Sequence, residues 1–205
     1  MKKIFDIIVS FFVLLLFSPL LFFIAVLIKV TSPGNVFYRG VRTGKDNINF
    51  NIYKFRTMIV DADKIGGDST ALNDARLTRI GRFLRKYKID ELPQFINVLK
   101  GEMSLVGPRP QVSKYTNLYS GDLKLILKVK PGITDLASLY FLDMDKVLGD
   151  GNVDKKYAME IEPIKNILRL RYVKQQSFFL DIRILIETFF SLIGIKNITN
   201  LNVKP

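Results

Sequence analysis

The chain has 205 residues, no cysteine and no histidine, and its 31 lysines and arginines against 19 acidic residues give a formal charge of +12. These counts exclude disulfides, thiol nucleophiles, the usual zinc sites and imidazole bases, so catalysis would fall to carboxylates, amines or hydroxyls. The charge calls for an anionic partner. Because the cations are spread along the chain without a zinc-finger or RNA-binding signature, a phosphorylated substrate or acidic lipid fits better than nucleic acid. The length suits one domain with appendages.

The first element is an apolar run from Ile7 to Ile28, interrupted by Ser10, Ser18 and Pro19 and flanked by Lys2, Lys3 and Lys29. It is too long for a signal-peptide core and has no small-residue cleavage site after it. At about 1.5 Å per residue it reaches across a hydrocarbon layer of about 30 Å. Pro19 near its middle and positive charge at both ends fit a re-entrant helical hairpin, while a kinked spanning helix remains open on the same residues. At a bend, the Ser18 hydroxyl is placed to satisfy a carbonyl that Pro19 leaves free.

A turn at Ser32, Pro33, Gly34 and Asn35 starts a soluble domain with strands predicted at 36–39 and 50–58. Alternation puts Lys54 and Arg56 on one strand face, where two cations could hold a diphosphate or merely guard a sheet edge. A loop over 65–74 precedes a helix whose buried stripe is expected to be Leu77, Ile80, Phe83, Leu84 and Tyr87. Arg79, Arg82, Arg85 and Lys86 make its basic face.

The central stretch runs from Lys88 to Pro110. The apolar spacing of Leu92, Phe95, Ile96, Val98 and Leu99 predicts a helix that starts at Asp90 and Glu91, tolerates Pro93 in its first turn and ends at Gly101. Asp90 has two uses there: an N-cap, or a nucleophile beside a phosphate held at the helix start. The following Gly107-Pro108-Arg109-Pro110 stiffens the backbone, so Arg109 stands on a rigid loop as a phosphate ligand or as part of a structural turn. Carboxylates working on phosphates would most naturally recruit magnesium.

Pro131-Gly132 opens an apolar piece over 133–142, and a charged loop is expected over 143–156. Helices over 155–175 and 178–195 then close the domain. The last mixes large apolar residues with Asp181, Arg183 and Glu187, which suits an interfacial or packed helix better than a crossing. Residues 196–205 read as a loosely held tail.

Taken together, Ser18-Pro19, YKFRTM at 53–58, LTRIGRFLRKYKIDELPQFINVLKGEMSLVGPRP at 77–110, PGIT at 131–134 and Leu180-Asp181-Ile182 resemble the monotopic phosphoglycosyl transferases. These are the bacterial sugar transferases that initiate polysaccharide and glycoprotein glycan assembly. The resemblance implies a mixed α/β, helix-rich fold. A re-entrant membrane helix occupies 1–31, broken at Ser18 and Pro19. A cytoplasmic catalytic domain with interfacial amphipathic helices covers 32–195, and 196–205 form the tail.

It further implies that Asp90 attacks the sugar-bearing phosphate of a UDP-sugar and expels UMP. Polyprenyl (undecaprenyl) phosphate then takes the phosphosugar. By the same likeness Glu91 acts with Asp90 and ligates Mg2+, while Lys54, Arg85 and Arg109 surround the diphosphate. The partners are a UDP-sugar, the polyprenyl phosphate and inner-membrane lipids, with a homodimer as a further option and no nucleic acid. One stretch departs from the family pattern: Asp135, Leu136, Ala137 and Ser138 follow PGIT where many relatives continue Gly-Leu/Trp-Ala-Gln. Two rival functions use the same residues, a non-enzymatic basic membrane-surface module and a membrane-bound phosphohydrolase with the same aspartyl nucleophile.

Overall fold

The computed structural model describes residues 1–65, 74–142, 153–195, 198–201, 203 and 204. The predicted loops over 65–74 and 143–156 therefore lie mostly outside the described residues. Helix α1, Lys2–Thr31, carries Pro19 inside it and is long and apolar enough to cross a membrane by length and composition. Pro19 has no amide hydrogen for the Leu15 carbonyl four residues back, and the Ser18 hydroxyl donates to that carbonyl at 2.8 Å. The Ser18 hydroxyl thus satisfies the carbonyl that Pro19 leaves free. The helix is continuously assigned from end to end, and no hairpin is resolved as two separate helices.

Both halves of α1 are fastened to the domain. In the first half Lys2 pairs with the buried Asp181, and Ser104 donates to Asp6 at 2.7 Å. In the second half Ile24 and Ile28 pack with Phe55 and Leu84. Between them Leu15, Leu16, Phe17 and Leu20 are exposed.

Strands β1, Phe37–Thr43, and β2, Asn49–Phe55, form an antiparallel hairpin in which Tyr38 faces Lys54 across the ladder. The second strand stops at Phe55, short of the predicted end at Met58, which makes only an isolated bridge to Leu77. Arg56 therefore leaves the face of Lys54. Its guanidinium donates to the carbonyls of Ser32, at 2.9 Å, and Pro33, tying the hairpin to the end of α1 rather than facing a ligand.

Helix α2, Arg79–Lys86, is capped by Thr78, whose hydroxyl accepts from the Gly81 amide at 2.9 Å. Its buried line is Leu77, Gly81 and Leu84. Phe83 and Tyr87, expected in the stripe, are exposed and lean on each other with ring centroids 4.9 Å apart. The reason is the close seat of Gly81 on the Thr57 backbone, which turns the helix so that the 83/87 side points away.

Two pieces replace the predicted single helix from Asp90. Lys88 adopts a left-handed conformation with φ 57°, a 3-10 turn runs over Ile89–Glu91, and helix α3, Gln94–Leu99, follows. Pro93 explains the break: it cannot donate to the Ile89 carbonyl, which takes the Leu92 amide instead at 3.2 Å. Gly101 ends the unit with φ 79°, as anticipated.

Strands β3, Ser104–Val106, and β4, Gly132–Thr134, pair in parallel. Gly107 and Gly132 lie so close that a Cβ on Gly132 would collide with the Gly107 backbone. The Gly132 amide bonds the Pro108 carbonyl at 3.0 Å, so this crossing fixes the root of the Arg109 loop. After β4 come α4, Leu136–Tyr140, then α5, Glu162–Gln175, and α6, Phe178–Leu192. A helical turn at Val153–Lys156 and a π-helical stretch at Tyr157–Ile161 lead into α5.

The main core joins Phe50 and Ile52 to Val98, Met103, Leu105, Leu136, Leu168, Tyr172, Ile184 and Leu201. Leu201 corrects the reading of a loosely held tail. The Thr199 amide and hydroxyl both donate to Glu187 at 2.9 Å, and Arg183 donates to the Thr199 carbonyl at 2.6 Å. Mixed α/β architecture with substantial helix is as the sequence suggested.

Candidate active site

Three elements converge on the acidic pair. The strand β2 brings Lys54, the 3-10 turn brings Asp90 and Glu91, and the stiff loop after β3 brings Arg109. Asn97, in α3, holds the first two together. Its side-chain oxygen accepts the Tyr53 amide at 2.9 Å and its amide group donates to the Asn51 carbonyl at 2.9 Å. This one side chain pairs with the free edge of β2 as a neighbouring strand would. Glu102 accepts the second Asn97 hydrogen at 2.7 Å.

Glu91 is clamped by two cations. Lys54 donates to Oε1 at 2.9 Å, Arg109 Nη1 donates to Oε2 at 3.0 Å, and Arg109 Nη2 donates to Oε1. Burial alone would raise the Glu91 carboxyl, but Arg109 and Lys54 outweigh it and hold the group well below the usual carboxylate range. Conversely, burial lowers the Lys54 ammonium despite Glu91 beside it, and Glu91 drives Arg109 upward.

Asp90 has the opposite environment. It is buried, and its Oδ1 has no hydrogen-bond partner among the described residues. Burial pushes its carboxyl upward. Lys54, Arg85 and Lys88 oppose that shift, while the neighbouring charge of Glu91 adds to it. Asp90 does not take the N-cap position: it lies inside the 3-10 turn, whose cap residue is Lys88, and Pro93 stands at the cap of α3. A buried carboxylate oxygen left bare beside a cation cluster is a poor structural feature and a good nucleophile in waiting. Arg85 thus acts on Asp90 through its charge, and Lys54 and Arg109 act on both carboxylates.

The oxygen donors fit magnesium in a limited way. Among the described residues no group of three acidic or other ligating side chains could cage a metal ion. Asp90 Oδ1 is bare, and Glu91 Oε2 accepts a single hydrogen bond. A cation that takes one or two carboxylates and completes its shell with phosphate and water suits that set.

Sequence reasoning missed three residues here. Asp135, fully buried, caps α4 through the Ser138 amide at 2.6 Å and accepts the Arg109 backbone amide at 3.0 Å. The stretch that departs from the family pattern therefore anchors the arginine loop. Its signal was an Asp directly before an apolar run, a common N-cap pattern. Asn97 was legible only as a polar residue within the apolar stripe of α3. Gln94, one turn after Asp90, is wholly buried with both amide atoms unpartnered among the described residues, and nothing in the sequence marks it.

Comparison with known proteins gives a consistent answer. The bacterial sugar transferase family matches residues 1–194. The UDP-glucose:undecaprenyl-phosphate glucose-1-phosphate transferase of Klebsiella pneumoniae is 40% identical over 193 residues, covering 92% of this chain and 39% of that protein. The UDP-N-acetylgalactosamine-undecaprenyl-phosphate N-acetylgalactosaminephosphotransferase of Aeromonas hydrophila is 36% identical, covering 94% and 43%. The chain thus spans about two fifths of the length of these relatives. An uncharacterized sugar transferase of Bacillus subtilis is nearer in size, 35% identical over 98% of this chain and 92% of its own. This chain belongs to the bacterial sugar transferase family.

Proposed function

We propose that the protein transfers a phosphosugar from a UDP-sugar to polyprenyl phosphate, with Asp90 as the covalent relay. The observation that carries this reading is the bare, buried Asp90 carboxylate oxygen next to a Glu91 locked by Lys54 and Arg109. Asp90 attacks the phosphorus that bears the sugar. A new Asp90 oxygen–phosphorus bond forms, the bond to the bridging oxygen breaks, and UMP leaves with that electron pair. A phosphate oxygen of the lipid then attacks the same phosphorus, frees Asp90 and yields polyprenyl diphosphate sugar. The names of the undecaprenyl-phosphate relatives support both substrates.

Catalysis of this kind rests on positioning and charge neutralisation. Asn97 fixes the strand of Lys54 against the turn of Asp90, and Asp135 fixes the loop of Arg109. Lys54, Arg85 and Arg109 oppose the charge of the diphosphate. Magnesium, held by Glu91, would supply further charge neutralisation on the phosphate oxygens.

The N-terminal helix serves as a re-entrant anchor that keeps the domain on the cytoplasmic face of the bacterial inner membrane. Both of its halves are tied to one domain, with the exposed apolar stretch around Ser18 and Pro19 between them, which favours entry and exit on the same side. Exposed Phe179, Phe189 and Leu192 on α6 suit an interfacial position.

The test is UMP release by nanodisc-held protein given magnesium, polyprenyl phosphate and a panel of UDP-sugars, wild type against Asp90→Asn. Labelled lipid product that depends on Asp90 supports the transferase. Labelled sugar phosphate in water would point to a hydrolase instead. Label trapped on the denatured wild-type chain without acceptor would identify the covalent relay.

A further inference from the structure

Next to the Arg109 loop lies a second basic cluster that the reaction as described does not use. Two residues beyond Arg109, Gln111 donates to the Tyr157 hydroxyl at 2.9 Å and to Glu162 at 3.2 Å. Helix α5 carries Lys165 and Arg169 into the same place. Arg169 is fully buried and meets Glu162 at 2.7 Å through Nη1, yet its Nε and Nη2 have no partner among the described residues. Lys165 is 94% buried by accessible surface, being 6% exposed. Its ammonium has one long polar contact, 3.4 Å from the Tyr157 hydroxyl. Otherwise it faces aromatic rings, 4.8 Å from the centroid of Tyr157 and 5.7 Å from that of Phe141.

Among the described residues no carboxylate lies within ion-pairing distance of this ammonium. Glu162 is already taken by Arg169, and Arg109 by Glu91. A buried ammonium without an anion of its own, beside a guanidinium with two nitrogens left unpartnered among the described residues, is costly unless a ligand brings the counter-charge.

We propose that Lys165, with Arg169 behind it, binds the phosphate that stands opposite Asp90 in each half of the reaction: first that of departing UMP, then that of the incoming lipid. This rests on the transferase reading above and deepens it. In-line displacement places the leaving group opposite the attacking oxygen of Asp90. In the second half Asp90 is itself the leaving group, so the lipid phosphate must attack from the side UMP vacated. One phosphate subsite therefore serves a soluble and a greasy substrate in turn, and Lys165 and Arg169 are buried cations beside the Arg109 loop with donors to offer it.

The electrostatics of Lys165 agree with an anion-binding role. Burial, with Arg169 and Arg109 repelling it and Glu162 and Asp135 partly compensating, pushes its ammonium down to about 7. A bound phosphate would restore the proton.

The full-length protein in nanodiscs decides the matter, with UMP and a short-chain soluble prenyl phosphate as probes and binding read by calorimetry without turnover. Lys165→Met should weaken both ligands at least about tenfold, with Lys165→Arg staying within about threefold of wild type. Wild-type UMP binding near pH 8 should take up a proton, seen as an enthalpy that depends on the buffer, and Lys165→Met should not. A thermal midpoint for Lys165→Met at or above wild type confirms that the variant is folded.

Weakening of one ligand alone would overturn the shared use and assign the subsite to that ligand. Unchanged binding of both by a folded Lys165→Met would overturn the site. A wild type that binds UMP but releases none from any UDP-sugar would sink the transferase reading and leave the binding comparison intact.

Discussion

Replacing Asp135 by Asn separates the two jobs of that carboxylate. One oxygen takes the Ser138 amide at 2.6 Å and the other the Arg109 amide at 3.0 Å, with the side chain fully buried. Asparagine offers one acceptor and one donor group. If it keeps the cap on α4, its amide hydrogens face the Arg109 N–H, and two donors oppose each other without water. The loss of a charge-assisted bond and the stranding of a buried amide cost about 2 kcal/mol. For a chain of this size that lowers the thermal midpoint by about 4–8 °C. The Arg109 loop also loses its hold, and a displacement near 1 Å of a phosphate ligand reduces kcat/KM by about 10²-fold. Scanning fluorimetry and a UMP-release assay read the two effects on one preparation. A midpoint within about 1 °C of wild type would refute the burial and bonding ascribed to Asp135. A lowered midpoint with full activity would refute its role in placing Arg109.

Asp90→Asn should lower UMP release at least ~10³-fold without lowering the thermal midpoint, because a neutral side chain suits a buried site that pushes the carboxyl upward. With Asp90 as the proposed nucleophile only its ionised form would attack, so the acid limb of kcat/KM in wild type should appear at a higher pH than for an exposed aspartate and activity should fall as pH drops through it. Glu91→Gln strands Lys54 and Arg109 and should cost roughly 2–4 kcal/mol, below the full value for a buried pair because Arg109 keeps 30% of its side chain exposed. Since Glu91 is held ionised well below the usual range, wild type keeps that advantage down to about pH 4 and loses it only as pH falls through the depressed value, which pH-dependent midpoints would show. The chain lacks cysteine, so single cysteines at either end of α1 report sidedness cleanly. Both should label from the cytoplasmic side, and Pro19→Leu, which restores the amide for the Leu15 carbonyl, should shift a fraction of molecules to a spanning form.

What could be read without coordinates was whatever a local rule fixes. Pro19 removes a specific amide, so the need of Leu15 and the reach of Ser18 followed from the sequence, and the hydrogen bond at 2.8 Å answers it. Gly101 and the proline-flanked Arg109 were legible for the same reason. The misreadings share another cause. Whether Phe83 or Gly81 faces inward depends on the Thr57 backbone lying against α2, a contact between segments more than twenty residues apart. Arg56 was paired with Lys54 by alternation, but alternation ends where the strand ends, and two carbonyls after α1 draw Arg56 away. Asn97 drew no reading and Asp135 looked like a departure from pattern because their partners, Asn51, Tyr53 and the Arg109 amide, are brought to them only by the fold.

The adjacent carboxylates show why the pair is divided as it is. Two acidic side chains in one buried site cannot both ionise cheaply, and the fold resolves the conflict by giving the fixed cations to Glu91. Glu91 becomes a permanent anion that holds Lys54 and Arg109 in place, and Asp90 is left with a bare oxygen and a raised carboxyl. Exchanging the two residues lengthens the side chain at position 90, which displaces the bare oxygen, and shortens the one at position 91, which draws its carboxylate back from Lys54 and Arg109. The double variant Asp90→Glu, Glu91→Asp therefore keeps composition and net charge yet should lose UMP release to the level of Asp90→Asn. Activity retained in that swap, with the protein folded, would mean that the reach of each carboxylate to its partners does not set their separate roles.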